Sequence, residues 1–233
     1  MQVSLSEIET SICKAGSAVN LPLGFGEDAG RAARCMAESG IGSLAAFVDA
    51  LDALDNGQAT GFDAESAVMG KFIPKSAGRY LSALHAGPSA CDLLVSAAST
   101  ESEYREITLN DVDIPLVILF LSLVASTDMN MGLHLTWSEK NNVEVVCWHG
   151  SLVMIKGTLK NLCVSGPARL SILLVAKPPK GLETAWNQQI QGKLVDIDEA
   201  IWHRVIAYTG RLLVDATETS RLTGAGAGVI DTD

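Results

Sequence analysis

Four histidines, His85, His134, His149 and His203, are the side chains best suited to hold a metal or carry a proton near neutral pH. None lies in a His-Glu-x-x-His motif, and no pair has the four-residue helical spacing of a zinc site. No metal ligand set and no cofactor are therefore expected. His134 and His149 fall on neighbouring strand patterns, but the pairing argued below turns them to opposite faces of the sheet, which denies them a shared ion. His149 continues an apolar strand face and precedes Gly150-Ser151, a place where burial would shift its pKa. The competing explanation is a core histidine bonded to a backbone carbonyl. Cys147 and His149 make a poor nucleophile–base dyad, because residues two apart on a strand lie about 6.6 Å from each other.

The five cysteines, Cys13, Cys35, Cys91, Cys147 and Cys163, are widely spaced and form no Cys-x-x-Cys pair. That pattern predicts free thiols in a reducing compartment, buried as small apolar groups rather than joined in a disulfide framework.

A second candidate is the C-terminal stretch, in which Gly224, Gly226 and Gly228 alternate with alanines behind Ser220-Arg221. Successive glycine amides form an anion-binding nest, and Arg221 would pair with a carboxylate. Ser220, Arg221, Gly224, Gly226 and Gly228 are thus assigned as binding residues for an anionic small molecule or an acid of a neighbouring subunit. Packing of the small residues on their own domain, or fraying, would account for them equally simply. Neither Gly-x-Gly-x-x-Gly nor Gly-Lys-[Ser/Thr] occurs, so no Rossmann or P-loop nucleotide site is expected. Gly24-Phe-Gly26 opens a helix, yet Glu27 and Asp28 in its first turn would repel a phosphate. Glu27 is kept as a candidate acid, beside the plainer reading that Glu27, Asp28, Arg31 and Arg34 form ion pairs on a wet helix face.

These side chains need a scaffold, and composition says what kind. Hydrophobic residues make up 48% of the 233 positions, enough for a buried core, while 19% are charged, which leaves surface for self-association or a protein partner. The net charge of −10, with no Lys/Arg cluster, argues against nucleic acid and against an anionic membrane surface. The longest apolar run, 114–125, is too short to span a bilayer, and the N-terminus has no leader-like pattern. A soluble cytoplasmic protein is the expectation.

The first 57 residues read as three helices. Ser4-Leu-Ser-Glu7 is a capping box ahead of the stripe Leu5, Ile8, Ile12, Ala15 and Val19. A second helix from about Gly26 to Gly40 buries Ala29, Ala32, Ala33 and Met36, and a third, opened by Ser43 and closed at Asn56-Gly57, buries Leu44, Phe47, Val48, Leu51 and Leu54. Residues 58–78 read as a connection, followed by helices over 76–85 and 88–98, the latter with Pro88 in its first turn. A strand is expected over 104–109, and 114–126 is a buried helix or a buried strand, with its length and leading proline favouring the helix.

From 132 to 177 the period changes to two. Apolar faces match only if Trp137 opposes Val143, Leu135 opposes Val145 and Leu133 opposes Cys147, across a loop at 138–142 in which Asn141 or Asn142 takes the left-handed position. Strands follow at 152–156 and 169–177, the last apolar enough to be central. A final helix over 198–212, capped by Asp196 with Glu199, buries Ile201, Val205, Tyr208 and Leu212. The fold class is α+β: an N-terminal helical bundle (1–57) packed on an antiparallel sheet within an α+β region (58–233), closed by a C-terminal helix and the glycine-rich tail, as one compact unit.

The segments Val3-Ser-Leu-Ser-Glu-Ile-Glu9, Gly24-Phe-Gly-Glu-Asp-Ala-Gly-Arg-Ala-Ala-Arg34, Ile201-Trp202 and Ser220-Arg-Leu-Thr-Gly-Ala-Gly-Ala-Gly228 resemble DUF3726, a bacterial family of unknown function. The resemblance implies a bacterial protein and brings no activity, cofactor or catalytic residue. Two functions are consistent with the sequence. One is a non-catalytic binding protein or accessory subunit for small-molecule metabolism. The other is an enzyme acting on an anionic metabolite near the tail, with Arg221 holding the substrate and Glu27 or His149 moving the proton.

Overall fold

The computed structural model describes residues 1–99, 105–129, 131–137, 143–162, 167–181, 186–187 and 194–213. Strand β1 (Gln2–Ser4) leads into α1 (Leu5–Ala18), where the Ser4 Oγ accepts the Glu7 N–H at 3.1 Å, as the capping box requires. Helix α2 spans Leu23–Ser39 and ends at Gly40 in the left-handed conformation. It begins three residues before the expected Gly26, directly after Pro22, so Glu27 and Asp28 lie outside its first turn. Helix α3 (Ala45–Asp55) ends at Asn56, with Gly57 at a φ of 70°.

The helices of the first layer meet closely because small residues face each other. A Cβ built on Gly30 would lie 2.5 Å from the Glu9 carbonyl oxygen, and one on Gly26 would lie 3.1 Å from that of Cys13. The glycines of α2 thus let its backbone lie against α1 in a way no larger side chain permits.

Residues 58–82 are more than a connection. They form β2 (Ala59–Thr60), α4 (Ala64–Val68), β3 (Lys71–Phe72) and β4 (Tyr80–Leu81). The two helices expected over 76–98 are one, α5 (Ala83–Ser99), with Pro88 inside it, and the region before it is a turn and a strand. Strand β5 (Glu106–Val112) follows, then α6 (Pro115–Ala125), whose length and leading proline were legible in the sequence. Every residue of α6 from Pro115 to Leu123 is buried, because the helix runs through the centre of the molecule against α2, α5, α3 and the sheet.

Strands β6 (Gly132–Trp137), β7 (Val143–Trp148) and β8 (Ser151–Lys156) form an antiparallel meander. Its first pairing is the expected one: Trp137 opposes Val143, Leu135 opposes Val145 and Leu133 opposes Cys147. The short α7 (Leu159–Leu162) precedes β9 (Ala168–Val175), which lies between β6 and β5 and is therefore interior, as its apolar content predicted. Strand β10 (Trp186–Asn187) extends the sheet beyond β8, and β11 (Leu194–Asp196) pairs with β1.

The main sheet is mixed rather than purely antiparallel. Its order is β10-β8-β7-β6-β9-β5-β4-β2, with β3 also on β5, and β2, β3, β4 and β5 run parallel. One apolar face, including Ile107, Leu109, Leu133, Leu135, Leu170 and Ile172, joins the helices in a single hydrophobic cluster.

Helix α8 (Glu199–Gly210) closes the described chain. Its cap is Asp198, which accepts the Ala200 N–H at 2.8 Å, not the expected Asp196, which ends β11. Trp202, Val205 and Tyr208 form the buried stripe, whereas Ile201 is half-buried and Leu212 is exposed. Ion pairs fasten α8 to α3: Arg204 bonds Asp49 and Asp52, Arg211 bonds Asp55, and the Tyr208 hydroxyl donates to Asp52.

Candidate functional site

Parallel strands place the residues that follow them side by side. Because Thr60 opposes Leu81 and Leu81 opposes Val112, the next residues, Gly61, Ser82 and Asp113, line up at the C-terminal ends of β2, β4 and β5. The Ser82 N–H donates to the Thr60 carbonyl at 2.8 Å, and the Asp113 N–H donates to that of Leu81 at 3.0 Å, so the row continues the ladder. Helix α5 starts right after Ser82, and α6 right after Ile114. Crevices at such strand ends, faced by helix N-termini, are where open α/β sheets place their ligands.

Asp113 is the anchor of this corner. Its Oδ1 accepts the Ala83 N–H at 2.8 Å and the Ile114 N–H at 2.7 Å, which satisfies the first amide of α5 and the entry to α6 together. The residue is 4% exposed, and its Oδ2 is buried without a hydrogen-bond partner among the described residues. Burial pushes the carboxyl up to about 6, against the pull of the backbone N–H groups that favour the anion.

His85 stands in the first turn of α5, beside this row. Its Nδ1 lies 3.5 Å from the Oγ of the fully buried Ser82, and its ring lies over Gly61, where a Cβ would sit 3.8 Å from Cδ2. The half-buried Phe25 of α2 meets the ring edge-on, with centroids 6.1 Å apart. Burial holds the His85 pKa below its ordinary value, so the imidazole is neutral at physiological pH. Among the described residues nothing bonds Nε2, which leaves one nitrogen of a half-buried ring for a partner from outside.

The sequence-assigned residues fall elsewhere. Ser220, Arg221, Gly224, Gly226 and Gly228 lie outside the described residues. Glu27 is exposed on α2 and lines an open groove of about 520 Å³ between α1 and α2, with Glu9, Cys13, Lys14 and Arg31. Two acids and two bases there balance in charge, and Arg31 also approaches Asp28 at 3.7 Å. His149 is not on the apolar face. It is exposed in the two-residue turn joining β7 to β8, with φ of 48° at His149 and 73° at Gly150, and its ring packs edge-on against Trp148. His134 lies across from Val146 and 3.8 Å from Glu144, so it shares no site with His149.

Cys13, Cys35, Cys91 and Cys147 are free thiols. Burial pushes Cys35 and Cys91 up to about 12 and Cys147 well above its usual value, so none of these three is a thiolate at neutral pH. Among the described residues no group of three His, Cys, Asp or Glu is placed to hold a metal, and no helix is long and apolar enough to cross a membrane.

Sequence reasoning passed over His85 and Asp113. The signals were Asp113-Ile-Pro115 straight after an alternating strand, and Ser82-x-x-His85 at a helix start. Each marks a strand-to-helix junction, where polar side chains meet free amides.

No curated protein matches this chain. The motifs at 201–202 and 220–228 lie beyond the matched part of the sequence, as does Asp113, whereas Phe25, Gly61, Ser82 and His85 lie within it. Residues 3–89 match the family model described as Protein of unknown function (DUF3726), the family that the N-terminal motifs resemble.

Proposed function

We propose that the protein is a non-catalytic binding protein, or an accessory subunit of a metabolic enzyme, that takes a small metabolite at the strand-end crevice beside His85. One observation carries this reading: a neutral, half-buried imidazole, backed by buried Ser82 and framed by Phe25 and Gly61, keeps a nitrogen without a partner among the described residues. Polar groups placed in an otherwise apolar wall are what fixes a small ligand's orientation. A thermal-shift screen of small polar metabolites tests it. Compounds that raise the melting temperature of the wild type should have a clearly smaller effect on His85→Phe and their full effect on His149→Gln. Hits that stabilise both variants equally would place the ligand elsewhere.

A second reading, a small-molecule enzyme, is favoured by the same histidine. Its lowered pKa gives it the protonation state of a general base at neutral pH, and Asp113, which titrates near 6, stands on the neighbouring strand end. Turnover of any screening hit, lost in His85→Gln, would select this reading over the first.

A further inference from the structure

We infer that Ser82 is a positioning residue that fixes His85 in its Nε2–H tautomer, so that the crevice grips ligands through a carbonyl-type oxygen. The ligand half of this inference rests on the binding reading above, while the tautomer half stands on the buried pair alone.

Ser82 is fully buried in the row between Gly61 and Asp113, and its hydroxyl proton needs an acceptor there. Among the described residues, the hydrogen-bond partner of Ser82 Oγ is His85 Nδ1, 3.5 Å away. If Nδ1 carried the ring proton, it would donate to Oγ and strand the hydroxyl proton in the protein interior. With Nδ1 unprotonated, Ser82 donates to it and both groups are satisfied. Burial keeps the ring neutral, so its one remaining proton sits on Nε2.

A neutral Nε2–H is a donor without a positive charge. It meets the oxygen of an amide, ketone or carboxylate and offers nothing to an ammonium group. Asp113 already takes the first amide of α5, that of Ala83, and the imidazole of the same turn is the group left to meet the ligand atom.

Nitrogen NMR of uniformly 15N-labelled protein reads the tautomer directly. The expected wild-type spectrum shows a protonated Nε2 and an unprotonated Nδ1 for His85, Ser82→Ala shifts both signals towards a mixture of tautomers, and Ser82→Thr restores them. A wild-type Nδ1–H tautomer, or a Ser82→Ala spectrum like the wild type, would overturn the role of Ser82. Acetamide, acetate and methylammonium then serve as probes of the ligand half. Movement of the Nε2 signal by acetamide or acetate supports it, and the two together separate neutral from anionic ligands. Movement by methylammonium alone contradicts it. If none of the three moves the signal, the ligand half falls together with the binding reading, and the tautomer result still decides what Ser82 does.

Discussion

The Asp113 carboxyl reaches from the end of β5 to the first amide of α5, with Oδ1 2.8 Å from the Ala83 nitrogen. This bond joins a strand and a helix that are some thirty residues apart in sequence, and it fixes the corner on which Ser82 and His85 stand. Its energetics are testable through protons. The folded-state pKa of Asp113, about 6, exceeds the ordinary 3.8, so the folded protein holds this proton more tightly than the unfolded chain. The stability linked to it is fully present below pH 3.8 and is lost as the pH rises through 6. Replacing Asp113 with Asn keeps an acceptor for Ala83 and Ile114 but cannot titrate. The wild-type stability should therefore fall relative to Asp113→Asn by up to about 3 kcal/mol between pH 4 and 7, read by urea unfolding. Parallel pH profiles would show that the carboxyl is not held protonated.

The approach of α1 and α2 makes a sharp prediction about two glycines on one helix. Gly30→Ala forces a Cβ to within 2.5 Å of the Glu9 carbonyl oxygen, a backbone atom that cannot swing aside, and should cost about 1–3 kcal/mol or more. Gly24→Ala meets nothing within 4 Å and should stabilise the helix by up to about 1 kcal/mol. Thermal denaturation of the two variants should move in opposite directions; equal changes would mean that the helices are not in contact at Gly30.

The tight turn at His149 makes the third. A non-glycine residue at a φ of 48° is strained unless its side chain tolerates the left-handed region, and asparagine tolerates it best. His149→Asn should leave stability unchanged or raise it by a few tenths of a kcal/mol. A loss above about 1 kcal/mol would show that the imidazole is buried or bonded, as the sequence pattern had suggested.

How much of this was legible depended on repetition. The pairing of Trp137 with Val143 and of Leu133 with Cys147 follows from a period of two sustained over a dozen residues, because any other register turns apolar side chains to water. The stripe from Leu5 to Ala15 was readable for the same reason, whereas α6 was legible from its length and its leading proline. Strands β2, β3 and β4 have two residues each and no period at all, so 58–78 looked like a connection and β4 fell within the helix expected over 76–85. The row at their C-terminal ends was hidden with them. Gly61, Ser82 and Asp113 become neighbours only through parallel pairing of those short strands, and no spacing in the sequence announces it. His149 misled in the opposite way: the alternation of β7 stops at Trp148, one residue before it, where the backbone turns.

The central claim is that a ligand binds against the His85 ring, and titration calorimetry with the best thermal-shift hit tests it most directly. Deleting one hydrogen bond from a buried contact removes about 1.4 kcal/mol, so the Kd for His85→Phe, which keeps a ring but has no N–H, should rise about tenfold or more over that of the wild type. Glu27→Gln, in the groove between α1 and α2, should bind as the wild type does. An unchanged Kd for His85→Phe, or a weakened one only for Glu27→Gln, would contradict the assignment.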